Sequence, residues 1–349
     1  MKTENVPNLG KIFWKHFYAS SAKNDNTAQK SLTLKMIDFL TILTWAFPIL
    51  TVIILCFVAA IFATSETFPN IKVFDSEKTF LNQNESEEKF PSIDEDSSLD
   101  LTIVVPAYNE EERLPKMLEE CTTYLEKSSQ KYEIIIVDDG SKDQTSKISL
   151  QWSRKLGSEK LRLLKLEKNL GKGGAVRRGM LVGRGKHLLF ADADGATTFS
   201  ELAKLQNLMG KIEENEHGVV CGSRAHLEKD SIANRSLFRT ILMYGFHLCV
   251  TIFGCKSVKD TQCGFKLFTR NTARIMFKSC HIERWAFDVE LLKIGEMLNL
   301  PMAEVAVQWT EIEGSKLNPV LASIQMFKDL FLLWLRYAVG AWKIVEKSD

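Results

Sequence analysis

Residues 39–63, FLTILTWAFPILTVIILCFVAAIFA, carry no charged side chain, and this run restricts the fold more than any other feature of the chain. As a helix it spans about 37 Å, enough to cross a hydrocarbon layer of about 30 Å with some tilt. A membrane-spanning helix over residues 36–63 is therefore predicted, kinked at Pro48 where neighbouring groups can satisfy the freed backbone. A cleaved signal peptide is disfavoured, because the run starts late, exceeds an h-region in length and has no small-residue cleavage site close behind it. Six lysines precede the span (Lys2, Lys11, Lys15, Lys23, Lys30 and Lys35), whereas only Lys72 and Lys78 follow closely. By the positive-inside rule this places the N-terminus in the cytoplasm.

The flanks are polar. Residues 1–35 read as a poorly ordered tail. Residues 64–100, with DSEK, NESEEK and DEDSS, read as an acidic linker acting as a flexible tether. Over the whole chain 45 Lys plus Arg balance 44 Asp plus Glu, and 45% of residues are hydrophobic. This excludes a disordered chain and a nucleic-acid binder that works by bulk positive charge. The 7 cysteines are odd in number and form no CxxC pair, which fits a reducing compartment.

From residue 101 the pattern changes to short apolar runs separated by helical stretches: LTIVVP (101–106), YEIIIVDD (132–139), LRLLKL (161–166) and HLLFADAD (187–194). Such alternation predicts an α/β domain over 101–318, a mostly parallel sheet with helices on both faces. Ligands bind such sheets beyond the carboxyl ends of the strands. There lie Ala107, Tyr108, Asn109 and Glu110, then Asp138 and Asp139, then Asn169 to Gly174, then Asp192 and Asp194. Each has a plain structural reading. Asp139-Gly140-Ser141 serves equally well as a turn and helix cap. GKGGA (171–175) has neither P-loop nor GxGxxG spacing, but Lys168 and Lys172 beside a Gly-rich turn that opens a helix suit a diphosphate. Asp192-Ala193-Asp194 is sharper: alternate residues of an extended segment project to one side, so two carboxylates can share a hard divalent cation, Mg2+ or Mn2+. That cation would neutralise a departing diphosphate.

In order along the chain, VVPAYNEEERLP, VDDGSKD, NLGKGGAVRRG and FADADGAT resemble the family-2 glycosyltransferases with the Rossmann-like GT-A fold. GSR (222–224), DTQCGFKLF (260–268) and RWAFDVELL (284–292) make the chain similar to the dolichyl-phosphate beta-glucosyltransferases among them. The resemblance spans 101 to about 310. It implies an endoplasmic-reticulum membrane enzyme with a cytosolic catalytic domain that moves glucose from UDP-glucose to dolichyl phosphate with inversion. By the same resemblance Ala107, Tyr108, Glu110 and Asp138 would hold the uridine end, with Pro106 and Asp139 as further substrate-binding candidates. Lys168, Gly171, Lys172 and Gly173 would lie near the diphosphate and sugar, and Asp192, Ala193 and Asp194 would hold metal and donor phosphate. A polar side chain follows the DxD by two positions in related mannosyl-phosphate enzymes; here it is Ala196, leaving phosphate oxygens, water or another residue to complete the metal shell.

The acceptor is a phosphate monoester with a second pKa of about 6, so a strong general base is dispensable. Asp194, Asp288, Arg224 and Lys266 are the catalytic candidates, Arg224 and Lys266 as phosphate-facing cations, with Arg235 and Arg239 as weaker ones. Asp288 and Glu290 could orient acceptor or sugar hydroxyls, although Asp288 equally suits a helix N-terminus. Gln262 is placed against the donor sugar. Trp285 would stack on sugar or nucleotide, or belong to the core. Residues 237–254 and the C-terminal segment 319–349 are expected as amphipathic interface helices beside a lipid acceptor; the alternative is a cover for the sheet or a homo-oligomer contact. The resemblance opposes the charge-based topology, and sequons at Asn84 and Asn234 would then go unused. The rival readings are a mannosyltransferase using GDP-mannose and a non-catalytic membrane scaffold.

Overall fold

A computed structural model describes residues 9–225, 245, 248–312 and 319–345. Arg235, Arg239, Asn234 and most of the expected helix at 237–254 lie outside the described residues. The chain divides into two compact units, Met1–Thr64 and Ser65–Asp349.

The first unit is one helix, α1 (Leu9–Ala63). Its portion Leu34–Ala63 is long and apolar enough to cross a membrane, with a mean hydropathy of 2.8. The helix begins well before the apolar run, where a poorly ordered tail was expected. No proline or glycine occurs between Lys11 and Phe47, so nothing stops it.

The second unit is built on a seven-stranded sheet. Its strands are β3 (Leu99–Ala107), β4 (Tyr132–Asp138), β5 (Leu161–Lys165), β6 (Gly185–Ala191), β7 (Val219–Ser223), β8 (Phe265–Thr269) and β9 (Met302–Ala306), in the order β5-β4-β3-β6-β8-β7-β9. All pairs are parallel except those of β8, which runs antiparallel to both β6 and β7. Alternate residues point to opposite faces: Leu101, Ile103 and Val105 join one core, whereas Val104 joins the other. The first core packs under α2 (Leu114–Leu125), α3 (Thr145–Leu156) and α5 (Leu202–Ile212); the second packs under α4 (Lys172–Met180), α6 (Arg270–Ser279) and α7 (Phe287–Met297). A last helix, α8 (Pro319–Ala338), adds Leu330 to a small cluster with Val250, Ala286 and Val289.

The segment after α1 is not a free tether. It forms a hairpin, β1 (Thr79–Leu81) and β2 (Glu87–Lys89), and Ile93 is buried in the core with its N–H on the Leu181 carbonyl at 2.8 Å. Phe80 and Phe90 pack on each other with 5.0 Å between ring centres, and the Arg162 guanidinium lies against both at 5.1 and 5.3 Å. Few apolar residues are spread through this acidic stretch; Phe80, Phe90 and Ile93 pack on the rest of the unit, whereas Phe68, Val73 and Leu81 stay exposed.

Candidate active site

Six strands present their carboxyl ends at one edge of the sheet, and reversed β8 presents its amino end there. Residues 260–264 are thereby brought against the DxD that follows β6. Asp192 donates its N–H to the Gly264 carbonyl at 3.1 Å. A β-carbon on Gly264 would lie 2.0 Å from Asp192 Oδ2, so this position accepts only glycine without displacing the carboxylate. Asp194 Oδ1 accepts the Ala196 N–H at 2.9 Å, and the Ala196 carbonyl accepts from Thr310. Ala196 thus contributes backbone where relatives were expected to use a side chain.

The Gly-rich segment arrives from the other side. Asp139 accepts from Leu170 N–H (2.7 Å) and Gly171 N–H (2.9 Å), which fixes the turn entering α4. Gly171 has φ +88°, a left-handed region where glycine is unstrained. Burial pushes the Asp139 carboxyl up to about 6, with the two loop amides opposing. The turn delivers Lys172, whose Nζ lies 2.6 Å from Asp192 Oδ1. Burial works against its charge, but the carboxylates of Asp192 and Asp288 outweigh it and hold the ammonium above its ordinary range. Burial, followed by the charge of Asp192, raises Asp194. Burial also raises Glu110, with Arg113 opposing and the two aspartates adding. Four acidic and basic groups from three strand ends therefore share one electrostatic neighbourhood.

The loops after β3 and β4 are laced together. Asn109, at φ +56°, donates its N–H to Ser141 Oγ and accepts the Lys142 N–H on its side-chain oxygen; Glu110 N–H donates to Thr145 Oγ1. Glu110 accepts from Arg113 Nε and Nη2 at 2.7 and 2.6 Å. Pro106 and Ala107 lie in β3, with the Ala107 carbonyl accepting from Asp139. Tyr108 and Trp285 stand out at 46% and 48% exposed, which separates Trp285 from the core.

Several candidates are placed differently from expectation. Lys266 is fully buried, donating to Asp288 Oδ1 (2.6 Å) and the Cys263 carbonyl (2.7 Å). Burial disfavours its charge, yet Asp288 holds its pKa up; it faces no open phosphate site. Asp288 correspondingly neutralises Lys266. Arg224 grips Asp260 with two nitrogens, each at 2.8 Å, and lies 5.3 Å from the Trp309 ring, so its charge is already matched. Asp138 is fully buried and occupied by Ser141 and Ser146, a turn-capping role. Glu290 is fully buried and surrounded by donors. Lys168 is exposed and stands 5.4 Å from the Phe74 ring. Gln262 is half-buried, its N–H 3.3 Å from Asp260 Oδ1, and Gly173 packs against Phe287. Sequence reasoning singled out neither Asp260 nor Arg113; the three-residue spacing of Glu110 and Arg113 could have revealed the latter.

No group of three or more His, Cys, Asp or Glu residues able to hold a metal occurs among the described residues. Asp192 and Asp194 nevertheless fit a divalent cation of the Mg2+ type, which commonly takes one or two carboxylates and fills its shell with phosphate and water. Burial, and after it the charge of Asp192, raises the Asp194 carboxyl, and such a cation would offset both.

Comparison with known proteins places this geometry in a family. The family model described as glycosyl transferase family 2 matches residues 102–273. A Dolichyl-phosphate beta-glucosyltransferase of Drosophila melanogaster is 54% identical over 310 residues, covering 86% of this chain and 95% of the relative. That of Homo sapiens is 51% identical over 292 residues, covering 82% and 90%. A glucosyl-3-phosphoglycerate synthase from Mycobacterium tuberculosis, solved with uridine-diphosphate, superposes with a TM-score of 0.49 at 16% identity, covering 70% of this chain and 82% of that one. Sheet, strand-end motifs and extensive identity agree: the chain belongs to the dolichyl-phosphate beta-glucosyltransferases of glycosyltransferase family 2.

Proposed function

We propose that this enzyme transfers glucose from UDP-glucose to dolichyl phosphate, with inversion, in the endoplasmic-reticulum membrane with its catalytic unit toward the cytosol. The observation that carries the reading is the 2.6 Å pairing of Lys172 with Asp192 beside Asp194 at the sheet edge. One cation and two carboxylates, placed at a helix N-terminus, make a site built for a diphosphate and its counter-ion. A divalent cation on Asp192 and Asp194 would supply neutralisation of the leaving diphosphate.

The remaining work falls to the chain. Lys172 and the α4 dipole orient the donor diphosphate, and Asp139 holds the turn that presents them. An acceptor phosphate oxygen forms the new bond to C1 as the bond from C1 to the UDP oxygen breaks, its electron pair leaving on UDP. One displacement inverts the centre, and no enzyme nucleophile is needed. The α8 residues Phe327 and Trp334, with Leu248 and Ile252, are exposed apolar groups in keeping with a bilayer contact beside a lipid acceptor.

Membranes containing the protein, incubated with dolichyl phosphate, a divalent cation and labelled UDP-glucose or GDP-mannose, test the reading. Chelator-sensitive entry of glucose into the lipid phase is expected. Entry of mannose instead would sink the donor assignment, and entry of neither would favour another acceptor or a scaffold.

A further inference from the structure

Glu290 is the best-connected buried carboxylate that the reaction does not use. One oxygen accepts from His281 N–H (2.9 Å) and Tyr337 hydroxyl (3.0 Å), with His281 Nδ1 at 3.2 Å; the other accepts from Ile282 N–H at 2.7 Å. These donors belong to the loop 280–284 and to α8. The same loop backs the Gly-rich turn. The Glu283 carbonyl accepts the Gly174 N–H at 2.8 Å, the Glu283 carboxylate pairs with Arg177 of α4, and Arg177 also donates to the Cys280 carbonyl at 2.7 Å. A β-carbon on Gly171 would meet the Glu283 carbonyl at 2.9 Å, so loop and turn are in direct contact. On its far side the loop is tied to the first residues of the second unit: His281 Nε2 lies 3.3 Å from the Thr67 carbonyl, which also accepts from Lys343 N–H at 3.0 Å. His281 stacks on Trp342 with 4.1 Å between ring centres.

We propose that Glu290 is a positioning residue for the Gly-rich turn: by gathering Tyr337, His281 and Ile282 it clamps the loop 280–284, so that docking of α8 sets where Lys172 is presented. The proposal rests on the reading that Lys172 and its turn hold the donor diphosphate. Tyr337→Phe removes one hydrogen bond and keeps the ring, and Tyr132→Phe is its control, because the buried Tyr132 hydroxyl has no hydrogen-bond partner among the described residues. Both variants would be made in the full chain, reconstituted in lipid nanodiscs, and followed by hydrogen exchange and steady-state kinetics.

In Tyr337→Phe, amides of residues 171–175 are expected to exchange about tenfold to hundredfold faster, the size of one lost hydrogen bond to a charged group, while β3 and β4 stay protected and Tyr132→Phe matches the parent. The KM for UDP-glucose should rise by a similar factor, with the KM for dolichyl phosphate and kcat within twofold. Unchanged exchange at 171–175, or acceleration spread evenly over the sheet, overturns the proposal. Faster exchange with an unaltered UDP-glucose KM would leave the clamp standing and remove the assignment of the turn to the donor.

Discussion

At Gly264 the space a side chain would need is already taken by the Asp192 carboxylate. Gly264→Ala is expected to displace that carboxylate and lower kcat about 100-fold, the usual cost of a misplacement near 1 Å at a reacting centre; rates measured beside an unchanged circular dichroism spectrum check this. Asp194→Ala should abolish transfer in a folded protein, and near-normal turnover would remove the carboxylate pair from the mechanism. Asp139 gives a pH dependence with two opposite signs. Its folded pKa of about 6 is raised above the ordinary aspartate value, so ionisation costs folding stability, and this group's contribution to stability increases as pH falls from 6 towards 4. Over the same interval protonation removes charge from the acceptor of the Leu170 and Gly171 amides. UDP-glucose, which has no ionisation of its own there, should bind more weakly below pH 6, measurable by calorimetry, and Asp139→Asn should flatten that profile. The placement of the DxD, Lys172 and Asp139 at the strand ends was legible because it depends on local spacing. The pairings of Arg224 with Asp260, Lys266 with Asp288 and Glu290 with Tyr337 were not, since these partners stand 36, 22 and 47 residues apart and only the fold brings them together.

Among the elements, β3 to β6 were readable as strands because each carries a short apolar run that is largely buried in the sheet, such as 103–105 and 134–137. β8, Phe265–Thr269, contains a lysine in a wholly buried strand, and a lysine argues against burial until its Asp288 partner is known. The acidic segment misled for the converse reason: Phe74, Phe80, Phe90 and Ile93 are too scattered to form a periodic pattern, yet they anchor it. Ile93→Ala should therefore cost about 2 to 5 kcal/mol of stability, as for other buried isoleucines, seen as a lower melting temperature of the catalytic unit. A free tether would show no change.

For the whole molecule, the lysine asymmetry about the span and the family resemblance point to opposite topologies, and Asn84 offers a direct report. It lies in the exposed turn of the β1–β2 hairpin, so an oligosaccharyltransferase would meet no obstacle if the second unit were lumenal. With that unit in the cytosol, Asn84 is expected to stay unmodified, and no mobility shift should follow endoglycosidase treatment. The reversed strand has a wider meaning. The chain leaves the sheet at Ser223 and re-enters it at Phe265 on neighbouring strands, so residues 224–264 start and finish side by side at the cleft. A detour whose ends are already joined by the sheet can be lengthened, shortened or exchanged at little entropic cost. The architecture thus tolerates changes of length in that detour, provided that Arg224 and the 260–264 turn, which holds Gly264 against Asp192, keep their places.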